Sequence, residues 1–477
     1  MLELTDTRLF VASKAIGDGP ALPVHEPWTG DLIASVTMAD APNAELAVLA
    51  AQQAFEGMRA LPSHARRDIL RRVAMGLLAR KDEIAEIIAR EAGKPITYAA
   101  AEVARAVSTF DLASEEATRP KGEVVPLDVT VAGEGRTGQW VRVPAGPVLA
   151  ISPFNFPLNL AAHKVAPALA CGCSVVLKPP PQAPLASLVL AAIVREACPV
   201  PNALQVVPCT NDVAESLVRD DRFATLSFTG SAAVGFRLKA LAGKKRVLLE
   251  LGGNAAVIVH DDAPWREVAG KIAVAAFAYA GQVCIKVQRV YVQRQIAVPF
   301  INDVVHLAGA LRAGTPLDPQ TVLGPMIDEA NAKRVEAWVA EAKAEGARIL
   351  VGGSRDGNRF AATVIDPNGP GTGLKVVDEE VFGPVLTIHV YDDWDEALAM
   401  ADATRYGLQA GIFTDSLARV RAAFDRLHVG ALIVNDVPTF RVDSMPYGGT
   451  RDSGLGREGV RFAIDEMTET KLLVMRS

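Results

Sequence analysis

Cysteine is scarce in this 477-residue chain: Cys171, Cys173, Cys198, Cys209 and Cys284 are all there are. An odd count in a long chain favours free thiols over a disulfide framework. The pair at 171 and 173 is Cys-Gly-Cys rather than C-x-x-C, with no further ligands at zinc spacing. Seven scattered histidines form no H-E-x-x-H pair, so no metal is expected. Excess charge is missing as well. Lys and Arg number 49 against 55 Asp and Glu, a net −6, and no basic stripe invites nucleic acid. Long apolar runs are lacking too. Residues 268–285 carry Lys271 and barely reach membrane thickness, while 148–171 are broken by Pro153, Pro157, His163, Lys164 and Pro167. Both stretches read as core, 268–285 as a buried helix, and not as membrane spans. Met1 is followed by Leu-Glu-Leu-Thr-Asp, without the basic start of a secretory signal. These absences predict a cytoplasmic protein with reduced thiols, no nucleic-acid partner and no membrane.

Half the residues are hydrophobic, an ordinary globular composition, and the length implies two or three domains. From 148 to 250 short apolar runs alternate with helical patterns. Strands are predicted at 148–152, 174–178, 204–207, 225–228 and 246–250, with helices at 161–170, 184–197, 212–218 and 231–241. That order argues for a parallel, doubly wound sheet, which binds ligands beyond the carboxyl ends of its strands. A second alternating block follows, with strands at 255–259, 289–293 and 431–434 and helices at 264–280 and 299–311. Residues 41–118 read as almost wholly helical, 122–143 as a hairpin, and 469–474 as a final strand.

Several short segments carry chemistry, each with a plainer alternative. The one G-x-G-x-x-G match, 454–459, falls in a late loop without β-α-β context. In Phe228-Thr-Gly-Ser231, Gly230 and Ser231 open a helix. Free N–H groups there suit a phosphate, although Gly-Ser also serves as simple capping. Lys178 ends a strand, either solvated or facing a ligand in the crevice. In Ser152-Pro-Phe-Asn-Phe-Pro157, Asn155 is a turn bracket or a donor to substrate. Glu250, before Leu251-Gly-Gly253, ends an apolar strand, where partial desolvation raises a carboxyl pKa toward base duty. Cys284, in Gly281-Gln-Val-Cys284, is a buried small hydrophobe or a reactive thiol. Glu379-Glu-Val-Phe-Gly-Pro384 and the glycine-dense 447–459 loop complete the set.

Taken in order, Pro-Phe-Asn-Phe-Pro, Lys-Pro-Pro, Phe-Thr-Gly-Ser, Glu-Leu-Gly-Gly, Gly-Gln-Val-Cys, Glu-Glu-Val-Phe-Gly-Pro and the 447–459 loop resemble the aldehyde dehydrogenase superfamily from end to end. The resemblance is to its non-acylating branch of lactaldehyde, non-phosphorylating glyceraldehyde-3-phosphate and phosphonoacetaldehyde dehydrogenases. It implies an α/β fold with two doubly wound domains and a small β oligomerisation arm. The cofactor domain would take 1–120 and 144–252, the catalytic domain 253–459, and the arm 121–143 with 460–477, forming dimers or tetramers. By resemblance Cys284 is the nucleophile, Asn155 the oxyanion donor and Glu250 the base that activates water. Glu458 matches a second carboxylate linked to that base. Lys178 would meet the adenosine ribose and Ser231 the pyrophosphate, with Ser152, Pro153, Phe154, Gly230 and Leu251 close by. Glu380 and Phe382 would hold the nicotinamide ribose and ring. Phe156, Val283 and Ile285 would flank the substrate.

Pro181 stands where NAD-preferring relatives often carry a Glu, so a 2′-phosphate meets no like charge. The cofactor is read as NAD or NADP, with NAD the commoner case. Arg105 and Arg441 match arginines used by members that take anionic aldehydes, yet Val283 replaces the Arg that those members place before the nucleophile. The two either hold a phosphate, sulfonate or carboxylate or form surface ion pairs. The expected substrate is a small polar or anionic aldehyde, oxidised to the free acid. Rival readings are an acylating enzyme, using coenzyme A or phosphate, and a catalytically silent relative.

Overall fold

Two parallel sheets carry the architecture. In the first, strands run in the spatial order Gly454–Leu455, Arg246–Glu250, Thr225–Thr229, Val148–Ile151, Val175–Lys178 and Leu204–Val206. All are parallel except the short edge strand Gly454–Leu455. The second sheet has seven strands: Arg348–Val351, Thr363–Asp366, Val385–Tyr391, Val287–Gln293, Ala255–Val259, Gln409–Phe413 and Ala431–Val434. Here only Arg348–Val351 is antiparallel. This computed structural model describes residues 9–11, 14–16, 19–119, 122–369 and 373–476, the first two stretches by backbone alone.

Alternation of side chains explains why these strands are apolar throughout. Val148 and Ala150 enter one core while Leu149 and Ile151 enter another. In the second sheet Val257 and Val259 face one core, and Ala256 and Ile258 the other. A sheet covered on both faces needs both sides apolar. Helices Ser63–Ala79, Lys81–Ala92, Ile96–Glu116, Asn159–Cys171 and Leu185–Ala197 cover one face of the first sheet. Ala41–Ala60 and Asn211–Arg219 supply the other.

Strands Gly122–Pro126, Arg136–Pro144 and Thr468–Arg476 form a separate antiparallel sheet, as the hairpin and tail-strand predictions required. Helix Val460–Glu466 sends Val460 and Ile464 into the first core, and pairing with the hairpin begins at Thr468.

Three other expectations are corrected. The helix read over 264–280, and with it the continuous buried helix over 268–285, ends at Phe277. Beyond it Tyr279, Ala280 and Gly281 take φ of 54°, 53° and 63°, a left-handed run that no helix continues through. The 299–311 helix begins earlier, at Arg294, where the Gln293 side chain caps Gln295 N–H at 2.6 Å. The 454–459 stretch is not all loop, since Gly454–Leu455 pairs with Leu249 and Glu250.

Among the described residues no helix is long and apolar enough to cross a membrane.

Candidate active site

The chain leaves the first sheet at Glu250 and enters the second at Ala255. The carboxyl ends of the first sheet therefore meet the amino ends of the second, and the candidate residues gather at that seam. Ser152–Phe156 and Thr229–Ser231 follow adjacent strands whose connections run in opposite directions, the switch point of a doubly wound sheet. Cys284 and Glu380 precede the strands Val287–Gln293 and Val385–Tyr391.

The left-handed run at 279–281 swings the chain out of its helix toward Cys284. Gly281 is required there, because a Cβ would lie 2.4 Å from the Gly383 carbonyl. Gln282 is wholly buried and bolts the segment down, accepting from Ile327 N–H at 2.9 Å. Its own carbonyl receives the Asn155 side-chain amide at 2.9 Å. Asn155 is thus a bracket to the cysteine segment, and its second amide N–H remains for another acceptor. Helix Asn159–Cys171, just beyond, is capped from outside. One Glu102 oxygen accepts Leu158 and Asn159 N–H at 2.9 and 3.0 Å, and the other pairs with buried Lys94. Lys94 also lies 3.5 Å over the Phe156 ring.

Cys284 is partly exposed, not lost in packing. Its Sγ lies 3.2 Å from the Tyr447 hydroxyl, beside Val283 and a small core of Ile285, Leu408 and Tyr447. Burial pushes the thiol up to about 11, and the Tyr447 hydrogen bond pulls the other way. Glu250 is 3% exposed, and neither carboxylate oxygen has a hydrogen-bond partner among the described residues. Burial first, and repulsion from Glu458 second, hold its pKa well above the ordinary carboxyl value. Gly448 closes over it, since a Cβ there would sit 2.8 Å from Glu250 Oε1.

Behind Glu250 stands a buried ionic cluster. Burial disfavours the charge on Glu458, yet Lys164 at 2.9 Å, with His163 and Arg441, brings it down to about 2. Arg441 pairs with Glu458 at 3.1 Å and lies 3.6 Å over the Tyr447 ring. Asp443, held well below its usual range against its own burial, accepts from His163 and Arg105 at 2.9 and 2.6 Å. Both arginines are therefore ion-paired, but the surface description fails for Arg441, whose side chain is 6% exposed. Each keeps a buried Nε without a hydrogen-bond partner among the described residues.

A nicotinamide dinucleotide fits the residues along the crevice. Lys178 is buried and not solvated, and makes no ion pair among the described residues; burial lowers its pKa. The Ser152 hydroxyl is buried and has no hydrogen-bond partner among the described residues. Ser231 precedes helix Ala232–Leu241 without a side-chain cap bond, so simple capping does not explain it. Gly230 donates its N–H to the Glu250 carbonyl at 3.1 Å, and Leu251 packs against Gly235. Pro181 is exposed and offers no charge. On the far side, Glu380 Oε1 accepts Gly253 N–H at 3.0 Å, and burial raises its pKa to about 7. A Cβ at Gly252 would lie 2.1 Å from Glu380 Oε2. Phe382, at φ 44°, sets its ring edge-on to Phe154 at 5.9 Å, and Pro153 precedes Phe154 in the turn after strand Val148–Ile151.

Sequence reasoning missed Tyr447, Lys164 and the His163–Asp443 pair. The signal for His163 and Lys164 was present: two polar residues inside an otherwise apolar helix demand buried partners.

The profile of the aldehyde dehydrogenase family matches residues 15–473. A 3-sulfolactaldehyde dehydrogenase from Priestia megaterium is 42% identical over the whole of both chains. Aldehyde dehydrogenase 21 from Physcomitrella patens, solved with the reaction product succinate, is 42% identical, covers 98% of each chain and superposes with a TM-score of 0.95. Glyceraldehyde-3-phosphate dehydrogenase GapN from Methanocaldococcus jannaschii, solved with NADP, is 35% identical over 97% of this chain and 100% of its own, with a TM-score of 0.92. The chain belongs to the aldehyde dehydrogenase family, as an NAD(P)-dependent oxidoreductase with an aldehyde as its substrate.

Proposed function

We propose that this enzyme oxidises a small aldehyde bearing a second, anionic group to the free carboxylic acid. Cys284 serves as nucleophile, Asn155 as oxyanion donor and Glu250 as base for water. The observation that carries the hydrolytic reading is Glu250 itself: a desolvated carboxyl with no hydrogen bond among the described residues, beside a partly exposed thiol.

The thiolate of Cys284 adds to the aldehyde carbon, giving a tetrahedral thiohemiacetal. Its oxyanion takes hydrogen bonds from the second Asn155 amide N–H and the Cys284 backbone N–H. Lys178, Ser152, Ser231, Glu380 and Phe382 would hold the dinucleotide, which would supply the hydride acceptor; once the thiohemiacetal has given up its hydride, a thioester on Cys284 remains. Glu250 then removes a proton from water. The resulting hydroxide attacks the thioester carbon, expels the Cys284 thiolate and releases the acid. Glu250 without a bonded partner is a strong base once ionised, and Lys164 and Arg441 lie close enough to favour that form.

An anionic substrate is supported by charge. Three cations, Arg105, Lys164 and Arg441, face two ionised carboxylates, Asp443 and Glu458, which leaves one positive charge while Glu250 is protonated. The two unpartnered Nε groups add donors for an anion. Relatives whose names or ligands carry sulfonate, carboxylate or phosphate agree with this choice. The test is kcat/KM over 3-sulfolactaldehyde, 4-oxobutanoate and neutral aldehydes of matched length. A preference of about tenfold for the anions, erased by Arg105→Met, is expected. Equal values across the panel would reject the anionic substrate.

The domain division follows the same reading. Ser152, Lys178 and Ser231 stand at strand ends of the first sheet, within the 144–252 part of the cofactor domain, whereas Cys284, Glu380 and Phe382 precede strands of the second, within 253–459. The arm leaves Val124, Val141, Leu472, Leu473, Val474 and Met475 exposed on three strands, a surface that a second copy of the chain covers. Sedimentation of the intact enzyme should give a dimer or tetramer, and a monomer at micromolar concentration would rule this out.

A further inference from the structure

The Cys284 sulfur sits against apolar side chains, and the hydroxyl of Tyr447 touches it at 3.2 Å. We propose that Tyr447 is a further catalytic residue: its phenol O–H is the donor that stabilises the Cys284 thiolate before attack.

The argument begins with which atom can donate. While Cys284 is a thiol, either partner can supply the proton. Once the thiol proton has left to solvent, only O–H to sulfur remains. Tyr447 must then keep its proton, and its surroundings ensure that it does. It is 3% exposed, and burial holds its pKa well above the ordinary phenol value. Every other ionisable group facing the pair has a stated position. Arg441 lies over the Tyr447 ring, while Glu250 and Glu380 approach the sulfur electrostatically without bonding it. Both carboxyls oppose a thiolate when ionised. Arg441 favours the thiolate but is shared with Glu458. Among the described residues the phenol is thus the one group in hydrogen-bond contact with Sγ. A guanidinium on its ring face polarises the O–H toward the sulfur and strengthens the donor. When the sulfur becomes a neutral thioether in the adduct, this bond weakens and the hydroxyl is released.

This proposal rests on Cys284 as nucleophile, and its test separates the two. Iodoacetamide alkylation of Cys284 is followed against pH by mass spectrometry in the wild type and in Tyr447→Phe. Losing one charge-assisted donor should raise the midpoint by about one pH unit, a tenfold loss of thiolate on the lower limb. Thiolates of higher pKa are also more nucleophilic, with a Brønsted slope of about 0.4–0.5. The net alkylation rate at pH 8 should therefore fall about threefold, while the high-pH plateau rises about threefold. Crossing profiles are the signature, because a merely structural defect moves both limbs the same way. An unchanged midpoint in Tyr447→Phe overturns the proposal and leaves the nucleophile intact. Full dehydrogenase activity in Cys284→Ser overturns the nucleophile assignment, whatever Tyr447 does.

Discussion

The Asn155 side-chain amide donates to the carbonyl of Gln282 at 2.9 Å. This single bond ties the turn beyond one sheet to the segment that presents the thiol before the other. It fixes the orientation of the amide, so the remaining N–H is preorganised. Removing an oxyanion donor of this kind typically costs a factor of about 100–1000 in kcat. Asn155→Ala should show that loss while Cys284 still reacts with iodoacetamide. A decline under tenfold would mean that the amide only braces the loop.

Glu250 has opposite effects on turnover and on stability. With Gln at 250, hydride transfer still precedes hydrolysis, so a burst of reduced cofactor should survive and the steady state should collapse. An enzyme that passed its acyl group to coenzyme A or phosphate would show no such split. For stability the sign follows from the raised pKa. In the unfolded chain the carboxyl ionises above about 4.5, whereas in the fold it stays protonated well beyond that. Its contribution is therefore complete below pH 4.5 and is lost as pH rises toward the folded value. Glu250→Gln should raise Tm on the order of 2 °C at pH 8 and leave it unchanged near pH 4. Calorimetry at the two pH values decides it, and a lower Tm at pH 8 would contradict the desolvation argument.

The Lys164–Glu458 pair behaves in the reverse sense. Glu458 is lowered from 4.5 to about 2, so the stability it supplies is fully present above pH 4.5 and vanishes as pH falls toward 2. Lys164→Met leaves a carboxylate buried without its closest cation, a loss of about 3–5 kcal/mol at neutral pH by analogy with other broken buried pairs. The loss should shrink steadily below pH 4.5 in pH-dependent melting. A constant penalty across that range would show that packing, and not charge, had been removed.

Much of this was legible from the residues. Runs such as Val175–Lys178 and Arg246–Glu250, apolar on both faces, announce buried parallel strands, and glycines beside Glu250 mark the close approach that Glu380 makes. The left-handed backbone at Tyr279 and Ala280 was not, because neither residue type favours it; the packing of Gln282 and the Gly281 contact impose it. Nor could spacing reveal Arg105 against Asp443, 338 positions apart, or the stacking of Arg441 on Tyr447. Such partners are chosen by the folded seam, and a linear pattern carries no trace of them. For the same reason spacing alone leaves the arginines as either substrate ligands or surface pairs, whereas the fold pairs a partly exposed Arg105 with Asp443 and buries Arg441 against Glu458.

Cofactor choice turns on Lys178 and Pro181, which stand three residues apart at the end of one strand. Lys178 is buried without an acidic partner among the described residues, and Pro181 offers the ribose neither a hydrogen-bond acceptor nor a negative charge. A free 2′-hydroxyl and a 2′-phosphate are both admissible on those terms. Introducing a carboxylate with Pro181→Glu should leave NAD turnover within about threefold. Repulsion of a 2′-phosphate across a few ångströms of partly screened space should cut kcat/KM for NADP at least tenfold. Lys178→Ala should weaken both cofactors through KM, and NADP more, since the ammonium meets the extra charge. If Pro181→Glu left the NADP-to-NAD ratio unchanged, the dinucleotide's ribose would have to lie elsewhere than beyond Lys178.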